Sequence, residues 1–146
     1  MAHRKSPARL AKDARVAHFR SLASRQAASH AMPSEAVAHL EATLAGRVVL
    51  PSSPGYDAAR QESNPAFQAY PEIIVYCACE HDVLECLAVA RTYNLWVAVR
   101  CGGHSTAGYS VNSGMVVDLS DLKGVVLDPP HERVHVLPGT DFDHFN

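Results

Sequence analysis

The amino-acid sequence predicts an α+β domain, and three observations carry that expectation. A strand–helix–strand unit is legible over residues 73–99, a set of short apolar strands runs over 115–137, and a glycine-rich loop separates the two. The elements follow in order. Pro33-Ser34 opens a helix with Val37, Leu40 and Leu44 on one face, and Gly46 ends it. Residues 48–50 form a short strand, closed by Pro51-Ser52-Ser53-Pro54-Gly55. After a polar segment, residues 73–78 are a strand. Asp82 then caps a helix, with Glu85 three residues on as in a capping box. Val83, Leu87 and Ala90 supply its apolar stripe, and Asn94 stops it. Residues 95–99 return as a core strand, so a parallel, right-handed β-α-β unit is expected. The strands at 115–119, 125–127 and 134–137 lie too close together for helical crossovers, so antiparallel pairing is expected among them.

Composition narrows the function classes. With 47% hydrophobic residues the chain of 146 can bury a core, and a formal charge of −2 points away from a nucleic-acid partner. No run of some 18 apolar residues exists to span a membrane. Charge is uneven, however. The first thirty residues hold seven of the thirteen Lys/Arg and one of the fifteen acids, Asp13. Residues 1–31 therefore read as a basic leader, a solvated tail or helix that superficially suits a mitochondrial transit peptide. They lack the continuous apolar region of a secretory signal, and a cytoplasmic setting is expected. Residues 32–146 are the folding unit.

The segment Arg100-Cys101-Gly102-Gly103-His104-Ser105-Thr106-Ala107-Gly108-Tyr109-Ser110 concentrates the chemistry. It follows the apolar strand at 95–99, so three glycines, a histidine and four hydroxyls sit beyond a strand's carboxyl end. Open α/β sheets bind ligands there. Glycine lets the backbone approach a ligand, and successive free N–H groups make a concavity suited to phosphate. Two common phosphate loops are excluded. The gap from Gly103 to Gly108 suits a Walker A loop, but Tyr109 stands where the lysine is needed. Gly102 and Gly103 are adjacent, so the dinucleotide fingerprint G-x-G-x-x-G fails as well. A phosphorylated cofactor with histidine chemistry beside it remains.

Other reactive residues have plainer readings. Cys77 and Cys79, with His81, Cys86 and Cys101, match no usual zinc spacing, and small buried hydrophobes are the commoner role of cysteine. No metal ligand is assigned. His3, His18 and His30 fall in the leader, and His131, His135 and His144 are scattered among strand and turn residues. Arg100 has two readings, a phosphate or carboxylate partner and a structural ion pair with Asp118 or Glu72. Asp118 is expected to organise the turn after its strand.

The loop resembles the R-x-G-G-H-[SN]-x-x-G-[YLF]-[SA] segment of berberine-bridge-type FAD oxidoreductases, within the vanillyl-alcohol-oxidase-like, PCMH-type FAD-binding superfamily. The similarity extends upstream through Pro54-Gly55-Tyr56-Asp57, Ser63-Asn64, Pro71 and Ile73-Ile74-Val75, and downstream through Gly114-Met115-Val116-Val117-Asp118-Leu119-Ser120 and residues 134–139. It implies that the backbone of Arg100, Cys101, Gly102, Gly103, His104 and Ser105, with Gly108, wraps the FAD pyrophosphate. His104 matches the position that bonds the flavin 8α-methyl covalently in many relatives. By the same resemblance, Ser110 and Asn112 line the cofactor channel, Pro138 and Gly139 bring a second backbone segment to it, and Tyr109 packs beside a ring edge.

The segment Thr140-Asp141-Phe142-Asp143-His144-Phe145-Asn146 resembles the opening of the family's next helix. The implied architecture is the N-terminal half of a PCMH-type domain, truncated at its C-terminal end. The catalytic base and the residues that select a small-molecule substrate would then lie elsewhere. Three functions follow: an FAD-dependent oxidoreductase of the berberine-bridge type; an inactive FAD-binding remnant or subunit needing a complementing C-terminal chain; and a small zinc-binding module.

Overall fold

The computed structural model describes residues 32–145; the basic leader expected over 1–31 lies outside them. Helix α1 (Ser34–Thr43) is followed by β1 (Arg47–Val49), a single helical turn α2 (Tyr56–Ala59), β2 (Ile73–Tyr76), α3 (Glu80–Thr92) and β3 (Val97–Arg100). Then come β4 (Met115–Asp118), β5 (Val125–Asp128), β6 (Arg133–Val136) and a final turn α4 (Phe142–Phe145). The α+β class stands. Four strands form one sheet in the order β1-β2-β4-β3, and β5 and β6 form a separate antiparallel pair. No described helix is long and apolar enough to cross a membrane.

One pairing corrects the sequence reading. β4 is parallel to both β2 and β3 and lies between them, with Ile74 and Ala98 both opposite Val116. The expected β-α-β strands therefore share a sheet without touching. The antiparallel expectation holds for β5 and β6 but fails for β4, because a parallel crossover needs about a dozen residues and not necessarily a helix. Residues 101–114 supply that length. The glycine loop is itself the crossover.

The central strands read as uninterrupted apolar runs because both faces of the sheet are covered. On one face Ile73, Val75, Met115 and Val117 pack with Ala36 and Leu40 of α1 and with Cys86, Val89 and Ala90 of α3. On the other, Ile74, Val116 and Ala98 pack with Val49, Tyr56 and Val111. β3 is an edge strand, and Val99 on it is 57% exposed instead of belonging to the core. The buried stripe of α3 is Asp82, Cys86, Val89 and Ala90, whereas Leu87 turns to solvent. Asn94 does end that helix, in a left-handed conformation at φ 53°.

Asp82 explains the shifted phase. The helix begins at Glu80 with Cys79 as its N-cap, so Asp82 lies in the first turn instead of at the cap. Its fully buried carboxylate accepts hydrogen bonds from the N–H groups of Ala45 at 2.9 Å, Gly46 at 3.0 Å and Ala78 at 2.8 Å, and from the Cys79 thiol. One side chain thus joins the ends of α1, β1, β2 and α3. Burial alone would raise its pKa, but the bonds from Ala78, Ala45, Cys79 and Gly46 together outweigh that and hold it below the ordinary carboxylate range.

Candidate functional site

The loop is built from behind by buried polar groups. Arg100 ends β3 with its guanidinium buried, Nε donating to Asp118 Oδ2 at 2.6 Å. Its Nη1 lies 4.0 Å from Glu62 Oε1, too far for a hydrogen bond but close enough for attraction between ions. Ser110 Oγ donates to Glu62 Oε2 at 2.7 Å, and both residues are buried. Asp118 Oδ1 accepts from the Ser120 backbone N–H at 2.9 Å and from its hydroxyl, which organises the turn after β4 as expected. Of the two readings of Arg100, the ion pair is the one present. Its partners are Asp118 and Glu62, and Glu62 was not singled out from the sequence.

The upstream segment that carries part of the resemblance brings Glu62 there. Tyr56 is buried and donates its hydroxyl to the Pro71 carbonyl at 2.7 Å, which fixes both ends of the intervening stretch. Ser63 N–H then donates to the Gly103 carbonyl at 3.0 Å, and Ser63 Oγ lies 3.1 Å from His104 Nδ1. Residues 62–64 back the glycine loop.

A left-handed backbone favours glycine at two loop positions, Gly103 at φ +67° and Gly108. Gly108 has φ +70°, and a Cβ there would stand 2.4 Å from the Phe67 ring. A Cβ at Gly102 would lie 2.8 Å from His104 Cδ2, so a side chain there would push the imidazole from where it folds back over the chain. The front of the loop opens into a cleft of about 630 Å³, lined by Cys101, Gly102, His104, Val136, Pro138, Gly139, Thr140, Asp141 and Phe142. That volume falls within the range of small-molecule and cofactor sites. Bare backbone from two segments, an exposed imidazole and apolar walls are what a flat ring system with a phosphate tail requires.

The structure thus brings together Cys101, Gly102, His104, Pro138 and Gly139. Others of the expected set turn elsewhere. Gly103 carries its carbonyl to Ser63, and Ser105 Oγ accepts from Tyr109 N–H at 3.0 Å, closing the loop on itself. Ser110 and Asn112, expected along the channel, are engaged by the protein: Ser110 with Glu62, and Asn112 Oδ1 with Gly114 N–H at 2.8 Å. Tyr109 is 84% exposed. The Cys101 thiol donates to the Pro138 carbonyl; burial, then the charge of Asp118, push its pKa up, which keeps it protonated at neutral pH. Val136, Thr140, Asp141 and Phe142 were missed because nothing in their sequence pattern marks a cleft wall.

Zinc finds no support in this geometry. Among the described residues, no group of three or more His, Cys, Asp or Glu side chains is placed to hold a metal ion. Cys77 follows the last residue of β2, and it and Cys86 are fully buried. A hydrogen bond with Cys77, then burial, push the Cys86 thiol up. Buried free thiols are their role.

The arrangement defines a class of protein first: a sheet whose crossover loop and a following strand segment shape a cofactor cleft, as in PCMH-type FAD-binding domains. The chain belongs to that family of FAD-linked oxidoreductases, since the family profile described as "FAD binding domain" matches residues 71–146. Over 99 residues it is 33% identical to an uncharacterized FAD-linked oxidoreductase, YgaK, of Bacillus subtilis (strain 168), covering 67% of this chain and 22% of that one. It is 28% identical over 95 residues to (R)-6-hydroxynicotine oxidase of Paenarthrobacter nicotinovorans, covering 64% and 21%. Among solved structures, 6-hydroxy-D-nicotine oxidase from Arthrobacter nicotinovorans superposes with a TM-score of 0.63 at 27% identity, over 67% of this chain and 22% of that chain. Carbohydrate oxidase from Microdochium nivale shares the fold, with a TM-score of 0.65 at 23% identity, over 75% and 24%. The chain therefore spans about a fifth of the length of these relatives.

Proposed function

We propose that these residues form the cofactor-holding part of an FAD-dependent oxidoreductase of the berberine-bridge type, with the flavin bonded to His104. The observation that carries the reading is the placement of the exposed His104 imidazole on the wall of a cleft built from bare backbone at Gly102 and Gly139. In this reading the backbone of 101–105 holds the pyrophosphate. Val136 and Phe142 provide apolar surface for the ring system, and Pro138-Gly139 closes the other side. Bound FAD would supply a two-electron acceptor for a small-molecule substrate. The protein's part is to fix that acceptor and keep water from one face of it.

Oxidation of substrate on this reading needs groups beyond these 146 residues, from a complementing chain or segment. The support is the apolar face of the β5–β6 hairpin, where Val125 and Leu127 stand opposite Val136 and Val134. Leu127 is 69% exposed, and Val136 on the same face also lines the cleft. Hydride transfer demands a substrate held against the ring, and a cleft open along this side does not hold one. Alone, the 146 residues would bind flavin without turning substrate over.

The test is a titration of the purified chain with FAD and separately with FMN, followed by flavin fluorescence. FAD is expected to bind more tightly, because only it carries the pyrophosphate, and Gly102→Val is expected to abolish the difference. Equal binding of both flavins, or none, would sink the reading.

A further inference from the structure

We propose that Glu62 is a positioning residue: its buried carboxylate holds the glycine loop in its cofactor-ready shape before any cofactor arrives. This deepens the proposed cofactor cleft and rests on it for the binding half of the test alone.

Three points of the crossover converge on Glu62 and its neighbour. At the start of the loop, Arg100 Nη1 lies 4.0 Å from Glu62 Oε1. In the middle, Gly103 rests against the carboxylate, with Oε2 3.6 Å from where a Cβ would sit. The Gly103 carbonyl also accepts the Ser63 N–H at 3.0 Å. At the end, Ser110 Oγ donates to Glu62 Oε2 at 2.7 Å. These points bracket the loop residues that face the cleft: Cys101 and Gly102 between the first and second, His104 between the second and third. Glu62 is buried and is not among the residues lining the cleft, so it acts on them from behind.

Stability alone does not account for a carboxylate at this place. Arg100 already makes its short bond to Asp118, at 2.6 Å. Two buried carboxylates therefore share one guanidinium. Neither Glu62 Oε1 nor Arg100 Nη1 has a hydrogen-bond partner among the described residues. Burying a charge so incompletely paired is unfavourable. Attraction to the cofactor does not account for it either, because a pyrophosphate is negative and a carboxylate behind the loop repels it. Geometry remains: Glu62 is kept for where it holds the loop. The oxygen that Ser110 meets can equally be that of a carboxamide, so glutamine preserves the tie and removes the charge. Alanine removes both.

The experiment compares the full parent chain with Glu62→Gln, Glu62→Ala and Ser110→Ala, the last a small change on the other side of the tie. The first readout uses no flavin: backbone nitrogen-15 order parameters over residues 101–110. Values near about 0.85 are expected in the parent and Glu62→Gln, and below about 0.6 in both alanine variants. The strands at 73–76 and 115–118 are expected to stay rigid in all four chains. The second readout is titration with FAD and with FMN, followed by flavin fluorescence. FAD is expected to bind Glu62→Ala roughly tenfold more weakly, as for the loss of one hydrogen bond to a charged group, with a smaller effect on FMN. Glu62→Gln is expected to bind FAD at least as tightly as the parent. An unchanged loop in the alanine variants would overturn the proposal, and so would Glu62→Gln behaving like Glu62→Ala. Strands loosened together with the loop in Ser110→Ala would overturn it too, since the contact would then support the whole sheet. If Glu62→Ala fails to fold, Ser110→Ala and Glu62→Gln decide between these outcomes. Flavin that binds none of the four chains would instead overturn the cofactor reading, and the order parameters would still decide what Glu62 does.

Discussion

The four-stranded sheet and the β5–β6 hairpin are both made of Val-rich strands, yet they have opposite surroundings. Ile74, Val75, Met115 and Val116 are 0% exposed, while Val126, Leu127, Val134 and Val136 are 45% exposed or more. Strand composition is nearly the same in both regions. The difference lies in what covers them: α1 and α3 on one face of the sheet, α2 and the loop around Val111 on the other, and for the hairpin face no described helix. A two-stranded hairpin is marginal in water by itself. Beyond its own ladder, the Leu137 N–H donates to the Gly124 carbonyl and the Gly139 N–H to the Leu122 carbonyl, both in the link from β4. The cleft lies where the closed region meets the open one.

The contrast can be broken most severely from the closed side. Asp118→Ala removes the hydrogen-bonded partner of the buried Arg100 and leaves that guanidinium with Glu62 at 4.0 Å. A loss of about 3–5 kcal/mol is expected, as for other broken buried pairs, read from the urea midpoint. Leu40→Ala opens a cavity between α1 and the sheet where Leu40 is fully buried, for a loss of about 2–5 kcal/mol by the same measurement.

A smaller effect is set by pH. Because the folded pKa of Asp82 is depressed, the unfolded chain binds its proton more readily, and stability rises with pH. The stabilisation is complete above the ordinary aspartate pKa of about 3.9 and is lost as pH falls through the lower folded value. Melting temperatures taken from acid to neutral pH are expected to fall steeply at the acid end for the parent chain. Asp82→Asn should melt lower at neutral pH and show a shallower acid decline. The smallest effect belongs to the open side. Leu127→Ser should change stability by no more than about 0.5 kcal/mol, while lowering the fluorescence of a dye that binds exposed apolar surface.

Much of this was legible in the sequence, for identifiable reasons. The runs read as strands over 73–78 and 115–119, glycine clustering at 102–108 and the Asn94 stop each encode local physics; the strands form within those runs, at 73–76 and 115–118, and α3 ends just before Asn94. The strand order was not legible. Spacing excluded helical crossovers among 115–119, 125–127 and 134–137, but did not reveal that the fourteen residues before β4 return the chain in parallel. Burial on an edge strand was also hidden, since Val99 has the same side chain as buried Val116. At the site, the glycines and His104 were visible by type. Glu62 was not, because a glutamate in a polar stretch carries no mark of the buried Arg100 it will meet.

The most direct test of the account is the visible absorption of the purified chain after incubation with FAD, before and after acid precipitation, beside His104→Ala. The account predicts yellow colour that stays with the precipitated parent chain and is absent from the precipitated variant. Flavin released into the supernatant by both chains would contradict it.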